Sequence, residues 1–284
     1  MTVTTFGPPW PDCLPPLWTS RELPLVHSDV VSARRELDER FTGDALDTEV
    51  WMPYYLPHWS SRSQSAATYQ IRAEELHLSI PSEQGLWCAD THDGPLRVSC
   101  IQSGSYSGQL GSPMGQQPFR DGLEVREEQP TFWGYTPLYG RIEVRMRAVV
   151  TARSMFAFWM SGIEDQPDRS GEICVVEVFG SGVHGGTAEI GMGVHRFRDP
   201  TFVEEFSPVP LDLDVARFHT YAVDWRPGST VFAVDGQVVR RLQQSPTYPM
   251  QLMIGVFDFP AKASADQVDV PVPELVVSHV RGVP

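Results

Sequence analysis

Two glutamates five residues apart, Glu172 and Glu177, lie in the run G-E-I-C-V-V-E-V-F-G at 171–180. Six of those ten residues are β-branched, aromatic or Cys, and Gly brackets the run, so a short buried strand is expected. Such strands seldom carry carboxylates, because burying an unpaired charge costs several kcal/mol. Strict alternation would send the two acids to opposite faces, since their separation is odd. A β-bulge within Val175–Val176 absorbs one residue and brings Glu172, Cys174 and Glu177 onto one face. The two Cα atoms are then about four strand steps apart, roughly 13 Å at about 3.3 Å per residue. Side chains leaning together approach the ~5–5.5 Å carboxyl separation at which one acid attacks a sugar and the other protonates the leaving oxygen. The same residues also read as half-buried salt-bridge partners of arginines on a neighbouring strand.

The elements that must position this run are short strands. Candidates are Glu75–Ile80, Arg97–Ile101, Leu123–Glu127, Tyr139–Val150, Met155–Met160, Gly191–Phe197, His219–Trp225, Val231–Val234, Gln237–Leu242, Gln251–Phe259 and Glu274–Val280. Asp235-Gly236 between two alternating runs predicts a type I′ hairpin. In Y-G-R-I-E-V-R-M (139–146), Ile142, Val144 and Met146 share one face while Arg141, Glu143 and Arg145 share the other. If this strand neighbours the central one, Arg141 is placed to lower the pKa of the glutamates and to line a cleft. Trp51 to Trp59, rich in aromatic rings, forms either a satellite core or a sugar-stacking surface that includes Trp59. Ser28–Phe41 favours a short helix by propensity and capping, and the following F-T-G-D-A-L-D-T-E-V-W looks like a strand leading into a turn. Residues 1–27 are Pro-rich and suit an extended arm, with a single domain over 28–284. Many short strands at this spacing predict an all-β fold, a β-sandwich or jelly roll.

Composition narrows the partners. The 284-residue chain has a formal charge of −14 and only one lysine, Lys262, so no basic patch for nucleic acid is expected. No apolar run of 18 residues is present and no signal peptide is visible, so the chain as written reads as a cytoplasmic protein with no membrane partner. Cys13, Cys88, Cys100 and Cys174 show neither zinc-site nor C-x-x-C spacing. Cys88 and Cys100 are placed either for a hairpin disulfide or as ordinary thiols. No metal or cofactor is expected, and the chain is taken as a monomer.

The order of these pieces resembles glycoside hydrolase family 16, the concanavalin A-like jelly-roll glucanases of two curved antiparallel sheets with a concave substrate groove. Glu172-Ile-Cys-Val-Val-Glu177 is similar to the E-x-D-x-x-E signature of its bulged, laminarinase-like branch. Y-G-R-I-E-V-R-M (139–146), F-A-F-W-M (156–160), G-V-H-R-F (193–197), H-T-Y-A-V-D-W-R-P-G-S (219–229) with V-D-G (234–236), and L-D-E-R-F-T-G-D-A-L-D (37–47) resemble its other elements in order. The resemblance implies Glu172 as nucleophile, Glu177 as acid/base, and hydrolysis of β-glycosidic bonds with retention. It further implies that Trp159, His195 and Trp133 line the groove.

Three positions depart from the family pattern. Cys174 stands where the family has an Asp that holds the nucleophile, and a thiol is a weak donor; on that reading Cys174→Asp raises turnover tens-fold. Met155 replaces a frequent Trp. Ser278 stands where the family often has an Asp for a structural calcium, so no calcium is expected there. The resemblance implies an endo-β-glucanase on a β-1,3-linked glucan, with polysaccharide as the partner. The alternatives are a poorly catalytic, lectin-like glucan binder and a hydrolase of another β-linked polymer such as a galactan.

Overall fold

A computed structural model describes residues 36–262 and 271–284, so the Pro-rich arm, Cys13 and the Ser28 cap lie outside the described residues. Seventeen strands run through these residues. The first are β1 (Leu37–Glu39), β2 (Thr68–Arg72), β3 (Glu75–Ser79), β4 (Arg97–Gln102), β5 (Gly104–Ser105) and β6 (Phe132–Trp133). Next come β7 (Gly140–Val149), β8 (Ser154–Gly162), β9 (Glu172–Phe179), β10 (Val183–His184), β11 (Thr187–His195) and β12 (Glu205–Leu211). The series ends with β13 (His219–Arg226), β14 (Ser229–Val234), β15 (Gln237–Leu242), β16 (Met250–Asp258) and β17 (Glu274–Val283).

Two large antiparallel sheets form a jelly-roll sandwich. One has the order β15-β14-β13-β7-β17-β3-β2, with β1 also on β17; the other is β10-β11-β9-β8-β16-β4, with β12 also on β11. The core between them takes one face of each strand. Ile142, Val144, Tyr221, Val223, Trp225 and Phe232 from the first sheet meet Phe156, Phe158, Ile173, Val176, Ile190 and Ile254 from the second. The hairpin at Asp235-Gly236 has φ values of 49° and 77°, both left-handed, as a type I′ turn requires.

The second sheet is covered on its outer face as well. Val98, Cys100, Met155, Ala157, Trp159, Met253 and Phe257 project away from the main core into a satellite cluster with Leu56, Trp59, Trp87, Phe119 and Val125. Burial on both faces explains why β8 and β16 are buried throughout and mostly apolar, without alternation. The aromatic loop at 51–59 therefore supplies core, and His58 is fully buried with it.

Three sequence expectations are corrected. Residues 37–39 of the expected helix are a strand paired with Val280–Gly282, because β17 offers an open edge whose pairing outweighs local helix propensity. The strand expected at Leu123–Glu127 is irregular chain whose Val125 N–H donates to Ser112 O at 2.8 Å. The strand expected after Phe41 is turn, and Phe41 itself sits at φ 53°. Cys88 and Cys100 are separate buried thiols, donating to the carbonyls of Trp59 and Ile101 at 3.4 and 3.3 Å.

Candidate active site

The site is built on β9 and its two neighbours. Against β8, Phe158 opposes Val176 and Trp159 opposes Cys174, so Val175 is the extra residue of a bulge. Against β11 the same bulge lets Gly191 oppose Glu177 and Gly193 oppose Cys174. Ile173, Val175, Val176 and Val178 all enter the main core. Glu172, Cys174 and Glu177 are thereby left together on the outer face. Three cross-strand rows result: Gln251–Ser161–Glu172–His195, Met253–Trp159–Cys174–Gly193, and Gly255–Ala157–Glu177–Gly191.

Glycine keeps the β11 side of this floor low. A Cβ on Gly191 would lie 2.6 Å from the Phe206 ring, and Gly193 has φ 147°, which side chains rarely adopt. Phe206 stacks on His195 at 4.4 Å between centroids. His195 Nδ1 meets Glu204 Oε1 at 2.5 Å, and Glu204 Oε2 accepts the Arg196 backbone N–H at 3.0 Å. At the Glu177 end, Lys262 Nζ stands 4.9 and 4.5 Å from the Phe179 and Phe259 ring centres.

Electrostatics follow from this half-buried setting. Burial pushes Glu172 up to about 7; the His195 charge pulls against it, and the charge of Glu177 adds to the rise. Glu177 is also raised, by burial first, with His195 and Lys262 opposing. Burial alone would lower His195, but the Glu204 hydrogen bond and the nearby carboxylates outweigh it and raise the imidazole. Burial and then the charges of Glu177 and Glu172 lift Cys174 well above the ordinary thiol range, so it remains a neutral thiol. Two interacting carboxyls titrate as a pair, and acid-plus-nucleophile chemistry needs one of them protonated and the other charged.

Of the other sequence candidates, Trp159 lies on the same face beside Cys174 but is only 6% exposed, packed on Phe257 at 6.0 Å. Trp133 is half-buried on β6 opposite Gly104, where a Cβ would lie 2.4 Å from Ile163 and 3.0 Å from Gln251. Trp59 is fully buried and donates its indole N–H to Gln116 O at 2.7 Å, so the sugar-stacking role expected of it is corrected to a core role. Arg141 is corrected too. Its strand β7 lies in the opposite sheet between β13 and β17, and its guanidinium pairs with Glu143 and Asp224 at 3.0 and 2.7 Å. The main core separates it from the acids.

Several residues at the site gave no sequence signal. Gln117 Nε2 donates to Glu172 Oε2 at 3.2 Å, while its backbone N–H donates to Glu164 Oε1 at 2.7 Å. Glu164 is buried, ion-paired with Arg198, and raised to about 7 by burial against the pull of that arginine. Tyr248 Oη accepts the Gly171 N–H at 2.7 Å and donates to Asp199 Oδ2 at 2.6 Å, anchoring the residue before Glu172. Gln117 and Tyr248 reach the strand from 55 and 77 residues away in sequence, where no periodicity marks them. Among the described residues no group of three or more His, Cys, Asp or Glu could hold a metal ion, and no helix is long and apolar enough to cross a membrane.

The two-sheet sandwich thus carries a carboxylate pair beside aromatic rings on one sheet's outer face. Residues 135–270 match the family model described as glycosyl hydrolases family 16. Among solved structures it is similar to the GlcNAcα1-4Gal releasing endo-β-galactosidase from Clostridium perfringens, with 26% identity and a TM-score of 0.75. That match covers 92% of this chain, which spans 65% of the length of that relative. A laminarinase from Flavobacterium sp. UMI-01 has 17% identity, a TM-score of 0.56, and coverage of 87% and 99%. The catalytic domain of an endo-1,3-β-glucanase from Thermotoga petrophila RKU-1 has 16% identity, a TM-score of 0.57, and coverage of 87% and 95%; both show the shared fold. No curated protein matches the sequence.

Proposed function

We propose that the protein is a retaining, endo-acting glycoside hydrolase of a β-linked glycan. Glu172 attacks the anomeric carbon while Glu177 protonates the departing oxygen, giving a glycosyl ester on Glu172. Glu177 then takes a proton from water, which displaces the ester with net retention. The observation that carries this reading is the Val175 bulge, which puts both acids on one outer face with Trp159 and His195 beside them. Glu172 accepts a donated hydrogen bond, which favours its charged form, and no hydrogen bond to Glu177 is found among the described residues. Burial raises both carboxyls, and the mechanism needs the proton on Glu177 and the charge on Glu172.

For the substrate, the 26% likeness to an endo-β-galactosidase favours a glycan with internal β-galactosidic bonds, ahead of β-1,3-glucan. The test is digestion of β-galactoside glycans and of laminarin, with new reducing ends measured against Glu172→Gln. Release above that control on either substrate supports hydrolysis; none on any β-linked glycan overturns it. The second reading, a carbohydrate binder without turnover, is favoured by the neutral thiol at Cys174, and is upheld if the glycan is retained uncut and Glu177→Gln leaves retention unchanged.

A further inference from the structure

We infer that Gln117 is the positioning residue for Glu172, giving from a neighbouring loop the hydrogen bond that Cys174 is too weak a donor to give. The inference rests on the assignment of Glu172 as nucleophile. Cys174 stands between the two acids on their face, buried and neutral, and an S–H is a weak donor. Gln117 Nε2, at 3.2 Å, gives Glu172 Oε2 an amide N–H.

The loop that presents Gln117 is held from several sides. Its own φ is 44°, a left-handed conformation unfavourable for a non-glycine residue. Glu164 Oε1 takes the Gln117 backbone N–H, and Arg198 holds the other oxygen of Glu164. One residue earlier, Gln116 O accepts the Trp59 indole N–H at 2.7 Å and meets His58 Nε2 at 3.1 Å, while Gln116 Oε1 accepts the Tyr106 N–H at 3.1 Å. Gly115 leaves no room for a side chain, since its Cβ would lie 2.5 Å from the His58 ring. A backbone held this firmly in an unfavourable conformation, with an amide aimed at a carboxylate, fits a placed donor.

This changes what Cys174→Asp should do. With Gln117 present, Glu172 already has its donor, and the substitution gains less than threefold in kcat, not the tens-fold expected from sequence. In a Gln117→Met background, where a chain of similar length carries no donor, the same substitution restores activity by at least fivefold.

The experiment compares wild type, Gln117→Met, Cys174→Asp and the double variant. Turnover of the cleaved glycan is measured against pH, and the Glu172 carboxyl is titrated by carbon-13 NMR, assigned through Glu172→Gln. Gln117→Met is expected to lower kcat about tenfold with KM within about twofold. It is also expected to move the Glu172 titration and the acid limb of kcat upward by about one pH unit, since a donor to the charged form is lost. An unmoved Glu172 titration, or an equal gain from Cys174→Asp in both backgrounds, overturns the inference. If wild type cleaves no glycan, the nucleophile assignment fails, and the titration still decides whether Gln117 holds Glu172. Should Gln117→Met not fold, Gln117→Leu removes the N–H without adding a charge and must raise the Glu172 titration likewise.

Discussion

Tyr248→Phe removes one oxygen atom and leaves two buried groups without their partner. Gly171 N–H loses its acceptor at 2.7 Å, and Asp199 Oδ2, on a residue 1% exposed, loses its donor at 2.6 Å. An unpaired buried donor costs about 1–3 kcal/mol, and a hydrogen bond to a charged group is worth about 1.5–3 kcal/mol. Asp199 keeps the Thr201 backbone N–H and hydroxyl on its other oxygen, and the two losses share one atom, so they do not add fully. The expected destabilisation is about 2–4 kcal/mol, a large part of the about 5–15 kcal/mol available to a domain. No other residue can take the place of the ring, because it fills the space over Gly171 with Phe202, leaving a Cβ there only 2.3 Å from Phe202 and 2.5 Å from the Tyr248 oxygen. Burial first, and then Asp199, keep the phenol far above its ordinary pKa, so it is a neutral donor at neutral pH. Urea unfolding of the two proteins measures the loss, and turnover in the absence of denaturant should fall as well, because Gly171 adjoins Glu172. A loss under about 0.5 kcal/mol would refute the reasoning, since it would mean that both groups find other partners.

Three further outcomes are expected. Burial depresses His58 from 6.5 to about 4, so its contribution is fully present above pH 6.5 and is lost as pH falls toward 4; between pH 7 and 5 wild type should lose about 2 kcal/mol relative to His58→Gln, read by urea unfolding at each pH. Glu204→Gln removes the charge that helps raise His195, so the imidazole should titrate lower when followed by proton NMR; an unmoved imidazole counts against the Glu204 coupling. Arg141→Gln should leave kcat and KM within about twofold while costing at most about 1 kcal/mol in urea, as expected for a partly exposed pair on the opposite sheet.

Much of the fold was legible because its strands carry local signals. β13 and β14 alternate, Asp235-Gly236 turns them, and the odd spacing of Glu172 and Glu177 demanded the bulge that Val175 supplies. β1 was not legible, since Leu37–Glu39 is a strand only because β17 pairs with it. The aromatic run around Trp59 was ambiguous from sequence because a ring that stacks on sugar and one that stacks on Phe or Trp have the same composition; only the cover over the outer face of β4, β16 and β8 decides for core. Arg141 was misplaced for a related reason: alternation gives its face but not its sheet, and β7 lies across the core from β9. Gln117 reaches Glu172, and Tyr248 the residue before it, from distant loops, and no spacing rule connects them to residues 172–177.

The assignment of roles to the two acids is tested most directly by azide rescue. Glu172→Ala and Glu177→Ala are each given an aryl β-glycoside of the cleaved glycan with sodium azide, and the anomeric configuration of the product is read by NMR. Azide replacing the nucleophile must give the α-glycosyl azide from Glu172→Ala, whereas azide attacking the glycosyl ester must give the β-glycosyl azide from Glu177→Ala. The reverse pattern would exchange the roles of the two glutamates, and turnover left unchanged by either substitution would contradict the account.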